Sequence, residues 1–187
     1  MEPDRSLAGV KRMRLAVRRP PPAGQEVPVD PRDLYAACYG RLVQALTLVA
    51  GSRAEAEDVV QEAFVRLVPR WSKISSYDDP EAWVRGVAFR ILSNRFRRAR
   101  NAAAAARRTS HVAQPSEVSG DSVDVGRALA TLPIEQRQVV VLHHLLDLPV
   151  AEIASTLGVP AGTVKSRLSR ARDALAPLLR EGSSDHA

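Results

Sequence analysis

The sequence of 187 residues has few aromatic residues, a single cysteine and no long apolar run. Aromatic side chains make up only 4% of it, which favours small aliphatic cores over one large β-rich core. One cysteine excludes an internal disulfide framework and a zinc site made of clustered thiolates. No apolar stretch approaches the roughly 18 residues of a membrane span, and no apolar stretch follows the basic N-terminus as in a secretory signal. We therefore expect a cytoplasmic protein without a membrane partner.

The sequence also lacks the usual motifs of a catalytic centre. It has no Gly-rich phosphate loop, no supported Ser/His/Asp set and no paired-carboxylate site. His143 and His144 are adjacent, so on a helix they point about 100° apart and cannot form the i, i+4 pair of a helical zinc site. Cys38 lies on the apolar face of a predicted helix and is expected in the core. We expect no enzymatic activity, no cofactor and no metal site.

Positive charge is in excess. Lysine and arginine number 27 against 21 acidic residues, which gives a formal net charge of +6 and a pI near 10.2. Such a balance favours polyanionic partners.

Apolar residues recur at helical spacing in two separate stretches of the sequence. No segment shows the alternation of apolar and polar residues that is typical of a strand. We predict an all-α fold of two small helical domains joined by a flexible linker. The predicted boundaries are a disordered basic N-terminal tail at 1–30, a helical domain at 31–100, a linker at 101–124, a second helical domain at 125–180 and a disordered tail at 181–187.

Local signals place three helices in the first domain. The first begins near Asp33 and is broken at Gly51, and the second begins at Ser52 or Arg53. Residues 69–80 are expected to form a loop. Asp78 or Asp79 then caps a third helix that has a proline at its first position.

Residues 150–168 carry the strongest motif, a helix-turn-helix with Gly158 at the turn. Glycine fits because this turn needs a positive φ. Before its first acid, Asp173, the outward face of the second helix carries only donors suited to phosphates or base edges. These include Thr163, Lys165, Ser166, Arg167, Ser169 and Arg170. The alternative is a helical hairpin with a solvated basic face.

A second basic surface lies on the third helix, where no acid occurs between Arg85 and Arg108. Arginines interleaved with an amide and aromatic rings suit a nucleic-acid strand with unpaired bases. The alternative is that the rings are partly buried and the arginines only solubilise the surface.

The second helix is acidic instead, with four carboxylates between Glu55 and Glu62, so it needs a different partner or is a solvated face.

Three segments carry a family resemblance: 58–64 (DVVQEAF), 83–88 (WVRGVA) and 162–172 (GTVKSRLSRAR). In this order they resemble the extracytoplasmic-function (ECF) class of bacterial sigma factors, in the sigma-70 family. The resemblance covers about residues 31–180 and implies region 2 at 31–100 and region 4 at 125–180. It implies a subunit that binds core RNA polymerase, recognises −10 and −35 promoter elements and assists promoter melting.

The resemblance also implies a role for each surface. The acidic helix would dock on the β′ clamp helices, and region 4 would read the −35 element and touch the β flap. An anti-sigma protein is a further partner of many members. The implied contacts with core polymerase are Asp58, Gln61, Glu62 and Arg66; those with the −10 element are Arg85, Phe89, Arg90, Asn94, Arg97 and Arg98; those with the −35 element are Thr163, Lys165, Ser166, Arg167, Ser169 and Arg170.

One departure from the family concerns the −10 sequence preference. Members often carry an asparagine seven residues after the tryptophan, whereas this chain has Arg90 there.

Two other function classes stay open from the residues alone. One is a free-standing helix-turn-helix regulator, which would have no need of the acidic helix. The other is an RNA-binding or structural helical protein.

Overall fold

The computed structural model describes residues 30–106 and 123–181, and within these ranges the chain is helical with no strand. The helices are α1 (Pro31–Ala50), α2 (Arg53–Leu67), α3 (Trp71–Ile74), α4 (Pro80–Ala106), α5 (Val123–Ala130), α6 (Ile134–His144), α7 (Val150–Leu157) and α8 (Ala161–Glu181), with a 3-10 turn at Val68–Arg70. The predicted all-α class is confirmed. The predicted disorder at 1–29, 107–122 and 182–187 concerns residues outside these ranges. None of the helices described is both long enough and apolar enough to cross a bilayer.

Side-chain caps fix where the helices of the first half begin. The Asp30 carboxylate accepts from the Arg32 N–H at 2.7 Å, which satisfies a donor that the first turn of α1 leaves without a partner. Ser52 caps α2 in the same way through the Glu55 N–H. The predicted cap of the third long helix is Asp79, whose carboxylate accepts from the Ala82 N–H at 2.8 Å.

Two segments are more helical than the sequence pattern indicates. The predicted loop at 69–80 contains part of the 3-10 turn and all of α3, because Ile74 is 2% exposed and anchors this segment in the core. The predicted linker at 101–124 begins inside α4, which continues to Ala106 through an alanine run of high helix propensity.

The first half, here the N-terminal unit, comprises α1 to α4. Its helices bury aliphatic side chains against one another, and Leu42, Leu46, Leu67 and Leu92 are each fully buried. Burial of each such side chain contributes roughly 1.5–3 kcal/mol, so this small core is held mainly by aliphatic contact.

The second half, the C-terminal unit, comprises α5 to α8. Leu142 of α6, Ile153 of α7 and Val164 of α8 are fully buried where these helices meet. The sequence pattern predicts two small cores. In the structure α1 packs against α5 and α6, and α4 packs against α6 and α7, so buried side chains of the two units form one continuous cluster.

Gly158 and Gly162 provide a matched test of the helix-turn-helix geometry. Gly158 has a φ of +68°, whereas Gly162 lies inside α8, and a Cβ would meet no neighbour at either position. We expect Gly158→Ala to lower the free energy of unfolding by about 1 kcal/mol, because an L-residue is strained at positive φ. Gly162→Ala should raise it by roughly 0.5–1 kcal/mol through helix propensity. Chemical denaturation measures both, and equal effects of the two substitutions would contradict the strained turn.

Candidate nucleic-acid and protein interfaces

The helix-turn-helix is formed by α7 and α8, with Gly158 at the turn as predicted. Gly158 adopts the left-handed conformation, and the N–H groups of Gly158 and Val159 both donate to the carbonyl of Ala154, which closes the end of α7. The carbonyl of Pro160 accepts from Thr163 and Val164, which starts α8. The turn geometry therefore sets the angle at which α8 leaves the domain.

The outward face of α8 does not pack into the core, and it carries positive charge. Val164, Leu168 and Ala171 face inward and are buried, which leaves the intervening positions to solvent. Lys165, Ser166, Ser169 and Arg170 are exposed, and Thr163 and Arg167 are half-buried. The six predicted residues of this surface thus lie together on one helix, although the Ser166 hydroxyl is already used by the carbonyl of Thr163 at 3.0 Å.

The six residues predicted for the second nucleic-acid surface do not share one environment on α4. Asn94, Arg97 and Arg98 are exposed, and Arg97 donates to the Asn94 side-chain oxygen at 3.0 Å. Arg90 is half-buried and donates from Nε to the carbonyl of Gly86 at 2.8 Å. Burial lowers the pKa of Arg90, but the guanidinium stays charged at neutral pH.

Arg85 and Phe89 lie underneath this surface. Phe89 is fully buried, so its ring is closed to a base in this arrangement, and its predicted contact stays a prediction. Arg85 is 6% exposed and, among the residues described, lies near two carboxylates, Asp79 at 3.9 Å and Glu152 at 4.0 Å. Its Nε has no hydrogen-bond partner among the residues described. Trp83 is 3% exposed and lies in the core.

The acidic face of α2 contains the third predicted set. Asp58 and Gln61 are exposed, whereas Glu62 is half-buried and accepts from Arg66 of its own helix and from Arg95 of α4, the latter at 2.9 Å. Glu62 and Arg66 therefore already have ion-pair partners within the fold. The i, i+4 spacing of Glu62 and Arg66 is the sequence signal that could have indicated this pair.

Two exposed valines extend this face and were missed by reasoning from the sequence. Val65 is 70% exposed and Val68 is 61% exposed. Positions 58, 61, 62 and 65 follow the i, i+3, i+4, i+7 spacing of one helix face, so Val65 continues the stripe that begins at Asp58. We call Asp58, Gln61 and Val65 of α2, together with Val68 of the 3-10 turn that follows, the α2 stripe. An apolar centre with polar neighbours is typical of a protein-binding surface.

Arg137 and Gln138 of α6 are further residues that the sequence pattern did not single out. Arg137 donates to the carbonyl of Val49 at 2.8 Å, and Gln138 donates to the Ser93 hydroxyl at 2.7 Å. Both bonds connect the two units. Nothing in the local sequence indicates them, because the partners come from helices far away in the chain.

Possible ligands for a metal ion do not cluster in the ranges described. No group of three or more His, Cys, Asp or Glu side chains is close enough there to hold a metal. His143 donates from Nδ1 to the carbonyl of Leu148 at 3.0 Å, so it serves the turn between α6 and α7.

Comparison with family models gives two matches in this order along the chain. The Sigma-70 region 2 model matches residues 34–102, and the Sigma-70, region 4 model matches residues 122–175. The first contains α2 and most of α4, and the second contains the whole helix-turn-helix.

Several curated proteins are similar in sequence. The ECF RNA polymerase sigma factor SigC of Mycobacterium tuberculosis is 32% identical over 129 residues, which covers 64% of this chain and 68% of SigC. SigL of the same species is 35% identical, and the match covers 80% of this chain and 86% of SigL. SigW of Bacillus subtilis is 29% identical, and the match covers 79% of this chain and 83% of SigW.

Two solved structures are similar in fold. The sigma factor RpoE of Bartonella quintana, in complex with the anti-sigma factor NepR, gives a TM-score of 0.65 at 22% identity and covers 80% of this chain and 96% of RpoE. CnrH in complex with the cytosolic domain of CnrY gives a TM-score of 0.55 at 26% identity. This match covers 81% of this chain and 88% of CnrH.

Cys38 offers a test of the core beneath these surfaces. Burial, followed by the nearby Glu81 carboxylate, raises the pKa of the Cys38 thiol to about 12. The thiol is therefore neutral at every pH below that value, and the thiolate that reacts is scarce. We expect the folded protein to resist maleimide labelling at pH 8 and the denatured protein to react fully, as measured by mass spectrometry. Rapid labelling of the folded protein would contradict the buried position.

Proposed function

The chain belongs to the extracytoplasmic-function family of RNA polymerase sigma factors, and from this premise we propose which of its surfaces binds core polymerase and which bind promoter DNA. In this proposal the α2 stripe docks on the β′ clamp helices of core polymerase, α4 holds the −10 element, and α8 reads the −35 element. The protein performs no bond chemistry. It acts in the cytoplasm because its partners, polymerase and chromosomal DNA, are found there.

The observation that carries the proposal is the opposite character of the exposed faces. Asp58, Gln61 and Val65 form an acidic and apolar stripe that repels nucleic acid, while α8 presents cations and hydroxyls. One small chain with both kinds of face is suited to hold a protein and a DNA duplex at the same time. A free-standing regulator would use the cationic face but has no need of the stripe.

The −35 contact follows from the orientation of α8. A recognition helix enters the major groove with its N-terminal residues toward base edges. Thr163, Lys165 and Ser166 lie in the first turns of α8, so they and Arg167 are placed to read bases. Ser169 and Arg170 lie one turn further along and suit the flanking phosphates.

The −10 contact rests on the exposed residues of α4. Asn94, Arg97 and Arg98 are accessible in the present arrangement and can hold the phosphates and base edges of a melted strand. Arg90 lies one turn before Asn94 and is the candidate for setting the −10 sequence preference. Phe89 supports α4 from within the core, and contacts DNA only if this part of the core opens.

Regulation by an anti-sigma protein forms part of the proposal. Of the structural neighbours named above, the sigma factor RpoE is bound to the anti-sigma factor NepR, and CnrH is bound to the cytosolic domain of CnrY. The fold shared with them supports the same mode of control for this chain.

The polymerase contact is tested by single substitutions in the α2 stripe. We expect Asp58→Lys and Val65→Lys each to weaken binding to core RNA polymerase about tenfold or more, because each places an ammonium in a docking surface that excludes water. Fluorescence titration of labelled full-length protein with core polymerase measures the affinity. Glu62→Lys is less informative, since it also breaks the contact with Arg95.

Asp173→Lys is the matched control, because it makes the same charge reversal at an exposed position on α8. It should leave core affinity within twofold. Wild-type affinity in both stripe variants would refute docking through α2.

The −35 contact is tested with the assembled holoenzyme. Lys165→Ala and Arg167→Ala should each cost roughly 1–3 kcal/mol on the cognate promoter and less on random DNA, as expected for base readout. Run-off transcription on fragmented genomic DNA identifies the promoter, and competition binding measures the variants. Arg32→Ala, which removes an exposed charge at the start of α1, is the control. Equal losses on cognate and random DNA would refute base readout by α8.

A further inference from the structure

A cluster of aromatic rings lies at the surface of the N-terminal unit, close to where α1 begins. The rings of Tyr35 and Tyr39 stack with their centroids 4.6 Å apart, and the Tyr35 ring lies edge-to-face with that of Phe64 at 4.9 Å. Tyr35 is 37% exposed, and Val68, one turn after Phe64, is 61% exposed. We call Tyr35, Tyr39, Phe64 and Val68 the tyrosine patch. The residues described leave this apolar surface partly uncovered.

Acidic side chains continue the same face toward the N-terminal end of α2. Glu57 lies seven residues before Phe64, so both are on one face of the helix and are separated by roughly 10 Å along its axis. Burial raises the pKa of Tyr35, and the charge of Glu57 adds to this effect, so the carboxylate lies near the ring. Glu57 pairs with Arg53 at 2.8 Å, and Asp58 beside it is exposed.

The direction in which this face changes from apolar to acidic follows from the packing of two helices. Only two residues join α1 to α2, and the helices pack against each other, so they run in opposite directions. The apolar end of the face therefore lies at the start of α1, and the acidic end lies further along α1.

The chain before α1 contains a segment of complementary chemistry. Residues 18–22 read RRPPP, two arginines followed directly by three prolines. Consecutive prolines favour the polyproline II conformation, which loses little conformational entropy on binding and docks against aromatic side chains. Arginine pairs well with carboxylates. The segment thus has one end that suits the tyrosine patch and one end that suits the acidic side chains.

The length of chain before α1 allows the segment to reach this face. Seven residues lie between Pro22 and Asp30, the cap of α1, and at 3.3–3.6 Å each they extend up to about 25 Å. Tyr35 is only about 7–8 Å along α1 from Asp30. Polyproline II rises 3.1 Å per residue, so Arg18 lies about 9 Å before Pro21, which is close to the separation of the apolar and acidic ends.

We propose that residues 18–22 bind the tyrosine patch of the same chain. The prolines pack on the rings of Tyr35 and Tyr39, and the arginines pair with Glu57 and Asp58. A chain that turns back at Asp30 runs along α1 with its prolines first and its arginines beyond them, which is the order in which the apolar and acidic ends occur.

A bound segment also covers part of the surface proposed for core polymerase. Val68 belongs to both the tyrosine patch and the α2 stripe, and Asp58 belongs to the stripe. This consequence rests on the proposed function. Residues 18–22 and polymerase then compete for one face of α2.

Trypsin tests the contact in the full-length chain. It cleaves after Arg18 where the chain is accessible, and cleavage after Lys11 is an internal reference outside the segment. We expect Tyr35→Ala to speed cleavage after Arg18 at least about fivefold, because it raises the population of the unbound segment. Cleavage after Lys11 should not change, as measured by mass spectrometry. Gln44→Ala is the matched control, since this exposed residue of α1 lies about 180° around the helix from Tyr35.

A photocrosslinker identifies what occupies the patch. Benzoylphenylalanine in place of Tyr35 should link to residues 18–22, whereas the same group in place of Ala37, exposed on another face of α1, should not. A mixture with isotope-labelled chain separates links within one chain from links between two. Links to a second copy, links scattered over residues 1–29, or equal trypsin rates in wild type and Tyr35→Ala overturn the proposal.

Polymerase titration tests the competition separately. Arg18→Glu with Arg19→Glu should strengthen binding to core polymerase about threefold, because it weakens the bound form of the segment. Arg12→Glu with Arg14→Glu makes the same charge change outside the segment and should not. Unchanged affinity in the first pair overturns the competition. If core polymerase does not bind the wild type at all, the proposed function fails, and trypsin and cross-linking still decide whether the segment binds the patch.

Discussion

The guanidinium of Arg137 binds the C-terminal ends of two helices that belong to different halves of the chain. It donates to Val49 in the last turn of α1, and to Ala130 and Leu132 at the end of α5. Carbonyls at such ends have no intrahelical donor and carry partial negative charge. Because α1 is fixed in the core of the N-terminal unit, this contact sets where α6, and with it the helix-turn-helix, lies relative to α4.

Internal ion pairs keep the acidic and basic surfaces from neutralising one another. Arg95 of α4 is paired with Glu62 of α2 at 2.9 Å, so both of these charges are used inside the fold. Asp58 stays exposed on α2, and Lys165 and Arg170 are exposed on α8. The chain can therefore offer an acidic face to a protein and a basic face to DNA although its surface is small.

Local features of the fold could be predicted from the sequence, and contacts between distant segments could not. Asp79 as a cap and Gly158 at the turn follow from the backbone of one helix end, which involves neighbouring residues only. The burial of Phe89 and the position of Arg85 under Glu152 depend instead on which face of α4 is covered by a helix far along the chain. Periodicity identifies an apolar face but does not name the helix that covers it. That the six residues proposed for the −35 surface lie together could be predicted, because one helix carries all of them.

The exposed cations that precede Asp173 on α8 have a consequence for how the protein responds to its ionic surroundings. Lys165, Arg170 and Arg172 are exposed there, and each one that neutralises a phosphate releases a condensed counterion from the duplex. Three such contacts make the logarithm of the DNA affinity fall with the logarithm of salt with a slope of about −3. A fourfold rise in salt then weakens this part of the complex by well over an order of magnitude, whereas the apolar centre of the α2 stripe is hardly affected. Salt concentration alone can therefore shift the balance between the proposed DNA contact and the proposed polymerase contact.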